Sequence, residues 1–342
     1  MTKTPLPLLT PRFAPQPADV PWPTDEWPRA RHPDQAALER VVEEMFTDEA
    51  LAETNAVVVV QHGAVLAERY GGEQFFFDRP AEPITSASPL LSWSIAKSML
   101  HFLVGTLVDA GRLQPGQPAA VPEWAGDARA AIRVADLLSM RDGLAWVEEY
   151  EIGQTSDVIE MLFGEGKDDM AAYCAAKPRA HAPDTVFNYS SGTSNVLSRI
   201  VAGLVGRHDA YRGYLEERLF GPLGMTSAAA TFDESGVFVA SSYVHATALD
   251  FARFGLLYLR GGAWDGHQLV AREWAATAQT PRSVDADSGD LYSWHWWVTG
   301  DPYGTYWASG YEGQSISVVP GLDAVVVRFG HSPEENYPAR AA

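Results

Sequence analysis

Ala56-Val-Val-Val-Val-Gln-His-Gly-Ala-Val-Leu-Ala-Glu-Arg-Tyr70 consists of two β-rich runs folded about His62-Gly63. β-Branched side chains suit a pleated strand, and a short glycine turn between two such runs predicts a hairpin. A hairpin alone is marginal in water. Strand signals return near the other end of the chain, at Thr305–Ser309, Ser315–Val319 and Ala324–Phe329, with the turn sequence Pro320-Gly-Leu-Asp323 joining the last two. The simplest way to stabilise the hairpin is to pair it with these late strands in one antiparallel sheet.

The intervening sequence is helical in pattern. Ser94–Ala110 is a strong helix closed by Gly111, and ahead of the hairpin Asp34–Phe46 also places Ala37, Leu38, Val41, Val42, Met45 and Phe46 at helical spacing. Val134–Met140, Ser156–Phe163, Asp168–Ala176, Ser194–Val205, Ala210–Phe220 and Thr247–Leu259 follow. The expected fold class is α/β plus α: an antiparallel sheet of N- and C-terminal strands flanked by helices, with an inserted all-helical region. The expected organisation is an extended proline-rich arm over 1–33, a sheet domain from 34–121 and 244–342, and a helical domain over 122–243. The active site is expected in the cleft between the last two.

Composition narrows the function. A net charge of -19 disfavours nucleic acid and anionic membranes, because phosphate binding needs clustered Lys and Arg. The single cysteine, Cys174, rules out an intrachain disulfide and reads as a buried structural residue. Nine prolines fall in the first 33 residues, where Leu6-Pro-Leu-Leu9 is too short for the apolar core of a secretion signal. No run approaches the roughly 18 apolar residues of a membrane span. A cytoplasmic protein acting on a small molecule is expected, with no nucleic-acid or membrane partner; the oligomeric state is not encoded legibly. Trp22 and Trp27 are candidates for pinning the arm to the body.

Ser94-Ile-Ala-Lys97 at a helix start puts a hydroxyl and an amine on one face. A serine hydroxyl is a weak nucleophile and needs a base, and a lysine of lowered pKa can supply one. Taken alone, the motif reads more readily as a helix cap followed by a surface lysine. The chain has four lysines (Lys3, Lys97, Lys167, Lys177) among 25 basic residues, and one stands here in an apolar run. Tyr189, in Phe187-Asn-Tyr-Ser-Ser-Gly-Thr-Ser-Asn195, is a candidate proton relay; by itself the segment also reads as a packed tyrosine with Ser190 or Ser191 capping a helix. Ala308-Ser-Gly-Tyr-Glu-Gly-Gln314 leads into a strand, where small residues let a substrate approach backbone N–H groups, or simply form a turn.

In order and spacing these three segments resemble the serine β-lactamase-like and penicillin-binding-like hydrolases, in the branch of class C β-lactamases, esterases and 6-aminohexanoate-oligomer hydrolases. Val134–Trp146, Leu219-Phe-Gly-Pro-Leu-Gly-Met225 and Ala246–Leu257 are similar too, so that the likeness runs from about residue 34 to 330. The resemblance implies Ser94 as acylated nucleophile, Lys97 as its partner, and Tyr189 as the tyrosine of the Y-x-N element. It implies the N–H groups of Ser94 and Gln314 as oxyanion hole, and Ser191, Tyr311, Glu312, Gly313 and Trp146 as substrate-binding residues. In this reading Tyr311-Glu312-Gly313 takes the K-T-G strand position. Two departures stand out: Ser191 replaces the family's asparagine, and Tyr311 replaces the lysine that helps hold a β-lactam carboxylate. The family's C-terminal helix has only Pro333–Ala342 to correspond to it.

The sequence lacks G-x-S-x-G, H-E-x-x-H, a P-loop and G-x-G-x-x-G, so α/β-hydrolase, zinc-protease and nucleotide chemistries have no support; no metal and no cofactor are expected. Trp294, Trp296 and Trp297 suit a cleft wall or a packed interface. The function expected is hydrolysis of small esters or linear amides through an acyl-enzyme on Ser94. The alternatives are a β-lactamase or D-amino-acid peptidase of the same fold, and an inactive ligand-binding relative.

Overall fold

Residues 6–75, 80–150 and 155–333 are described by a computed structural model. Its centre is an eight-stranded antiparallel sheet. The early hairpin is β1 (Glu53–Gln61) and β2 (Ala64–Tyr70). The others are β3 (Ser283–Val284), β4 (Leu291–Tyr292), β5 (Trp297–Val298), β6 (Tyr306–Gly310), β7 (Gln314–Val319) and β8 (Ala324–His331), and the spatial order is β3-β4-β5-β6-β7-β8-β1-β2. The hairpin is therefore completed by the last strand, with Val57 opposite Arg328 and Gln61 opposite Ala324. Interior position explains why β1 reads as an unbroken valine run: Val57, Val58 and Val60 are all fully buried.

Helix α1 (Gln35–Glu44) begins at Asp34, whose carboxylate accepts from the Ala37 N–H. Helix α2 (Ile95–Asp109) is buried from Ile95 to Leu107, as suits a helix apolar on nearly every side. Helix α3 (Ser191–Val205) starts three residues earlier than its apolar pattern, and α4 (Ala248–Leu259) lies on the sheet. Gly255 permits that packing, because a Cβ there would come within 2.6 Å of Val325 and 2.7 Å of Ile316. Between residues 122 and 243 the described elements are mainly short helices, including Val134–Leu138, Asp157–Phe163, Met170–Ala175 and Asp209–Leu215. Leu90–Leu91, Val244–Ala246 and Ala229–Ala230 form a separate three-stranded sheet, which the sequence did not reveal.

The segment 6–33 has no helix or strand, only turns and one bridge from Arg29 to Val65. It lies on the body. Trp27 donates to the Leu249 carbonyl, Trp264 donates to Thr24 Oγ1, Arg253 Nε donates to the Pro23 carbonyl, and Trp22 packs 5.1 Å from Trp264. Arg328 crosses beneath the β6–β7 turn. Its buried guanidinium donates to the carbonyls of Gly313, Leu51 and Glu53 and to Thr54 Oγ1, tying that turn to the start of β1. No helix among the described residues is long and apolar enough to cross a membrane. The expectation for the C-terminal stub falls almost wholly on residues 334–342, outside those described.

Candidate active site

Leu90–Leu91 pairs with Val244–Ala246, and Ser92 fastens the chain beyond it: its N–H donates to the Val244 carbonyl and its hydroxyl to the Ser242 carbonyl. Trp93 then takes a left-handed backbone (φ 44°), uncommon for a residue with a side chain, and the chain turns into α2. Ser94 is the N-cap of α2, yet its side chain makes no capping bond. Lys97 Nζ, one turn on, lies 2.8 Å from Ser94 Oγ. The reading of Ser94 as an ordinary cap and Lys97 as a surface residue is thus excluded.

Lys97 is 2% exposed. Besides Ser94, its amine contacts the Ser241 carbonyl at 2.8 Å and Ser191 Oγ at 3.0 Å. Burial pushes its pKa from 10.5 down to about 8, and the charge of Glu148 acts in the opposite direction. The Tyr189 ring centroid is 4.9 Å from Nζ. That ring stacks on Trp297 at 5.8 Å and meets Tyr292 edge-on at 6.0 Å. Ser94, Lys97, Tyr189 and Ser191 therefore converge from two elements 94 residues apart in the Lys97–Ser191 pair. Ser190 caps α3 through the Thr193 N–H, which leaves Ser191 facing the amine.

Four sequence expectations change. Tyr311-Glu312-Gly313 is not on a strand but forms the helical turn between β6 and β7, with Glu312 at φ 59° and Gly313 at φ 85°. The tripeptide on the strand is Ala308-Ser309-Gly310, and Gly310 runs so close that a Cβ would lie 2.4 Å from the Ser92 carbonyl oxygen. Gln314 sits across the hairpin opposite Gly310, and its buried side-chain amide exchanges two hydrogen bonds with the Gly330 backbone. It is Tyr311, the residue following Gly310, that meets Trp93 edge-on at 5.7 Å; Tyr311 also stacks 4.5 Å from Tyr150. Trp146, expected against substrate, is 7% exposed, and its indole N–H donates to Glu148. Ser191 likewise is buried against Lys97.

Glu148 was missed by sequence reading, since Val147-Glu-Glu-Tyr150 resembles any polar loop. Its carboxylate accepts from Ser191 N–H, Ser191 Oγ, Trp146 Nε1 and Tyr150 hydroxyl. His295 was missed too. Its Nδ1 lies 3.0 Å from the Leu138 carbonyl and must donate there, so Nε2 accepts from Ser194; Ser98 donates to its backbone carbonyl. Burial lowers its pKa to about 3, and it joins α2, α3 and the β4–β5 connection as a neutral ring. Of the three tryptophans, Trp296 is core against Phe254 and Tyr258, Trp294 packs on Trp274, and Trp297 supports Tyr189. Cys174 is buried, and burial raises its thiol pKa.

The family model for Beta-lactamase matches residues 42–342. The chain belongs to the beta-lactamase family. This beta-lactamase-family chain is 29% identical over 324 residues to a 6-aminohexanoate-dimer hydrolase of Paenarthrobacter ureafaciens, covering 87% of this chain and 76% of that protein. It is 30% identical over 286 residues to Penicillin-binding protein 4 of Amycolatopsis lactamdurans, covering 71% and 72%. A solved structure of a family VIII carboxylesterase superposes with a TM-score of 0.71 at 16% identity, covering 90% of this chain and 94% of that one. The last likeness concerns the fold, and the α/β plus α fold class expected from the sequence holds for this beta-lactamase-family chain. Its relatives include hydrolases, as the sequence reading anticipated.

Proposed function

We propose that this protein is a serine hydrolase that acylates Ser94 with small esters or linear amides and then deacylates with water. The observation that carries this reading is the buried Lys97 amine 2.8 Å from Ser94 Oγ. A neutral lysine accepts the Ser94 proton as Oγ attacks the substrate carbonyl carbon. The resulting oxyanion is faced by the N–H of Ser94 and, in place of Gln314, by the N–H of Tyr311. The support for that change is Gly310 running against Ser92, which brings the next backbone amide toward the nucleophile. Collapse of the intermediate breaks the bond to the alcohol or amine, which leaves with a proton relayed from Lys97 through Tyr189. Water then adds to the acyl-enzyme, giving up its proton by the same route, and Ser94 Oγ–H is restored.

The substrate class rests on what the strand lacks. Neither Ala308-Ser309-Gly310 on β6 nor Tyr311 offers a cation for a β-lactam carboxylate, and Trp93, Tyr150, Tyr243 and Tyr311 form an aromatic cluster beside Ser94. The site lies in the cleft proposed between the sheet part (34–121 and 244–342) and the helical part (122–243). A single buried cysteine suits a cytoplasmic setting. The test is intact-mass and peptide mass spectrometry after treatment with a fluorophosphonate, beside hydrolysis of p-nitrophenyl acetate. One adduct on Ser94, with loss of adduct and hydrolysis in Ser94→Ala, is expected. Hydrolysis unchanged in Ser94→Ala would overturn the proposal.

A further inference from the structure

Three groups meet Lys97 Nζ within hydrogen-bond distance, and they are not equivalent. A neutral amine has two hydrogens and one lone pair. The Ser241 carbonyl can only accept, so it takes one hydrogen. Ser94 and Ser191 are both hydroxyls, and either one can donate to the lone pair or accept the second hydrogen. Catalysis requires that Ser94 be the donor. Glu148 settles which arrangement forms. Its carboxylate is an obligate acceptor and takes the Ser191 hydroxyl proton, so Ser191 can only accept from Lys97. The lone pair is then left for Ser94.

We propose that Glu148 is a positioning residue which, through Ser191, aims the Lys97 lone pair at Ser94 and governs the pH at which that lone pair becomes available. This rests on the serine-hydrolase reading above and adds a residue to it. The hub is firmly built. Trp146 Nε1 and Ser191 N–H, neither able to accept, are aimed at the carboxylate, and the Tyr150 hydroxyl lies 2.8 Å away. Four donors thus converge on its two oxygens. Gly192 makes room for the arrangement, because a Cβ there would fall 2.6 Å from both the Trp146 ring and Cys174 Sγ.

The other titratable groups packed around this centre are Tyr189, Tyr292, His295 and Asp142. Tyr189 lies over the amine, Tyr292 is buried with its pKa raised by desolvation, and His295 is neutral. Asp142 lies on the segment packed against the first turn of α3. Burial raises its pKa, and its oxygens are engaged by Thr193 and the Leu144 N–H.

The test is Glu148→Gln, which keeps the shape and removes the charge. Glutamine can also donate to Ser191, which frees the Ser191 hydroxyl to compete for the Lys97 lone pair. Two readouts are made on full-length protein. The first is the acid limb of kcat/KM against pH for p-nitrophenyl acetate. The second is the 13Cε titration of lysine-labelled protein, which needs only four lysines resolved, Lys97 being assigned by its loss in Lys97→Arg. Removing a nearby negative charge destabilises the ammonium, so both midpoints should fall by about one pH unit, while the plateau rate falls about 10-fold or more. Ser191→Ala, which leaves the hub in place, should move the Lys97 titration the same way by less and also lower the plateau. If Lys97 titrates alike in Glu148→Gln and the parent, or, should that variant not fold, if Ser191→Ala leaves both titration and plateau unchanged, the proposal is overturned. The lysine titration needs no turnover, so a parent protein inactive on every ester would refute the hydrolase reading while still reporting on Glu148.

Discussion

Lys97→Met removes the amine from a buried position while keeping an unbranched chain of similar length. It should abolish hydrolysis and, separately, change how stability depends on pH. Burial lowers the Lys97 pKa from 10.5 to about 8, and at about 1.4 kcal/mol per unit that shift is worth about 3 kcal/mol. The sign is fixed by proton counting. Between about pH 8 and 10.5 the unfolded chain keeps the lysine proton and the folded protein has released it, so ν for the unfolded state is the larger and stability rises with pH. Below about pH 8 both states are protonated and this contribution is flat. The parent should therefore gain about 2–3 kcal/mol relative to Lys97→Met between about pH 7 and pH 10. The hydrogen bonds lost to Ser241 and Ser191 shift the variant by a constant, about 1–3 kcal/mol, and do not alter that slope. Groups that do not feel the Lys97 charge are common to both proteins and cancel, and His295, which does feel it, titrates far below this range. The assay is reversible urea unfolding of both proteins across the range, beside ester hydrolysis. Parallel pH–stability curves for parent and variant would refute the claim that Lys97 is held with a depressed pKa, and residual turnover in Lys97→Met would refute its role as base.

Tyr189→Phe should lower kcat for p-nitrophenyl esters by about 100-fold or more with little change in KM, since the hydroxyl is assigned to proton transfer; stopped-flow acylation checks that chemistry is rate-limiting. For the parent, kcat/KM should rise with pH to a plateau about a midpoint near 8, because only the neutral Lys97 accepts a proton; a flat profile through that range would remove it as base. Short p-nitrophenyl esters should be turned over with higher kcat/KM than nitrocefin. The missing charge-assisted bond to the β-lactam carboxylate costs about 10- to 150-fold, and a measured preference for nitrocefin would locate a cation elsewhere in the cleft.

The sheet was legible where strands are long and central. The Val57–Val60 run, buried on both sides, has no other plausible place. Strands β3, β4 and β5 were illegible because each is two residues long and is defined by pairing with a neighbour, not by a pattern of its own. At the site, Ser94 and Lys97 are separated by one helical turn, so spacing alone joins them. Glu148 gains its meaning only on meeting Ser191, 43 positions away, and local sequence carries no trace of that encounter. The error at Tyr311-Glu312-Gly313 has a different origin. Ser309-Gly310-Tyr311-Glu312-Gly313 offers two glycines, one for a close strand passage and one for a positive-φ turn. Which glycine does which is settled by the neighbouring segment at Ser92, and placing Tyr311-Glu312-Gly313 on the strand put Gly313 three residues beyond Gly310, where the close passage occurs.

Arg328 gives the β6–β7 turn an unusual mechanical status. A guanidinium held by the carbonyl oxygens of Gly313, Leu51 and Glu53 works as a rivet between its own strand, the turn and the start of β1. The turn that carries Tyr311 beside the proposed nucleophile is thereby tied to the entrance of β1, an interior strand of the sheet. If the turn's amides face the oxyanion as proposed, they are set in place once, when the protein folds, and an arriving acyl group would meet a surface whose ordering entropy has already been lost.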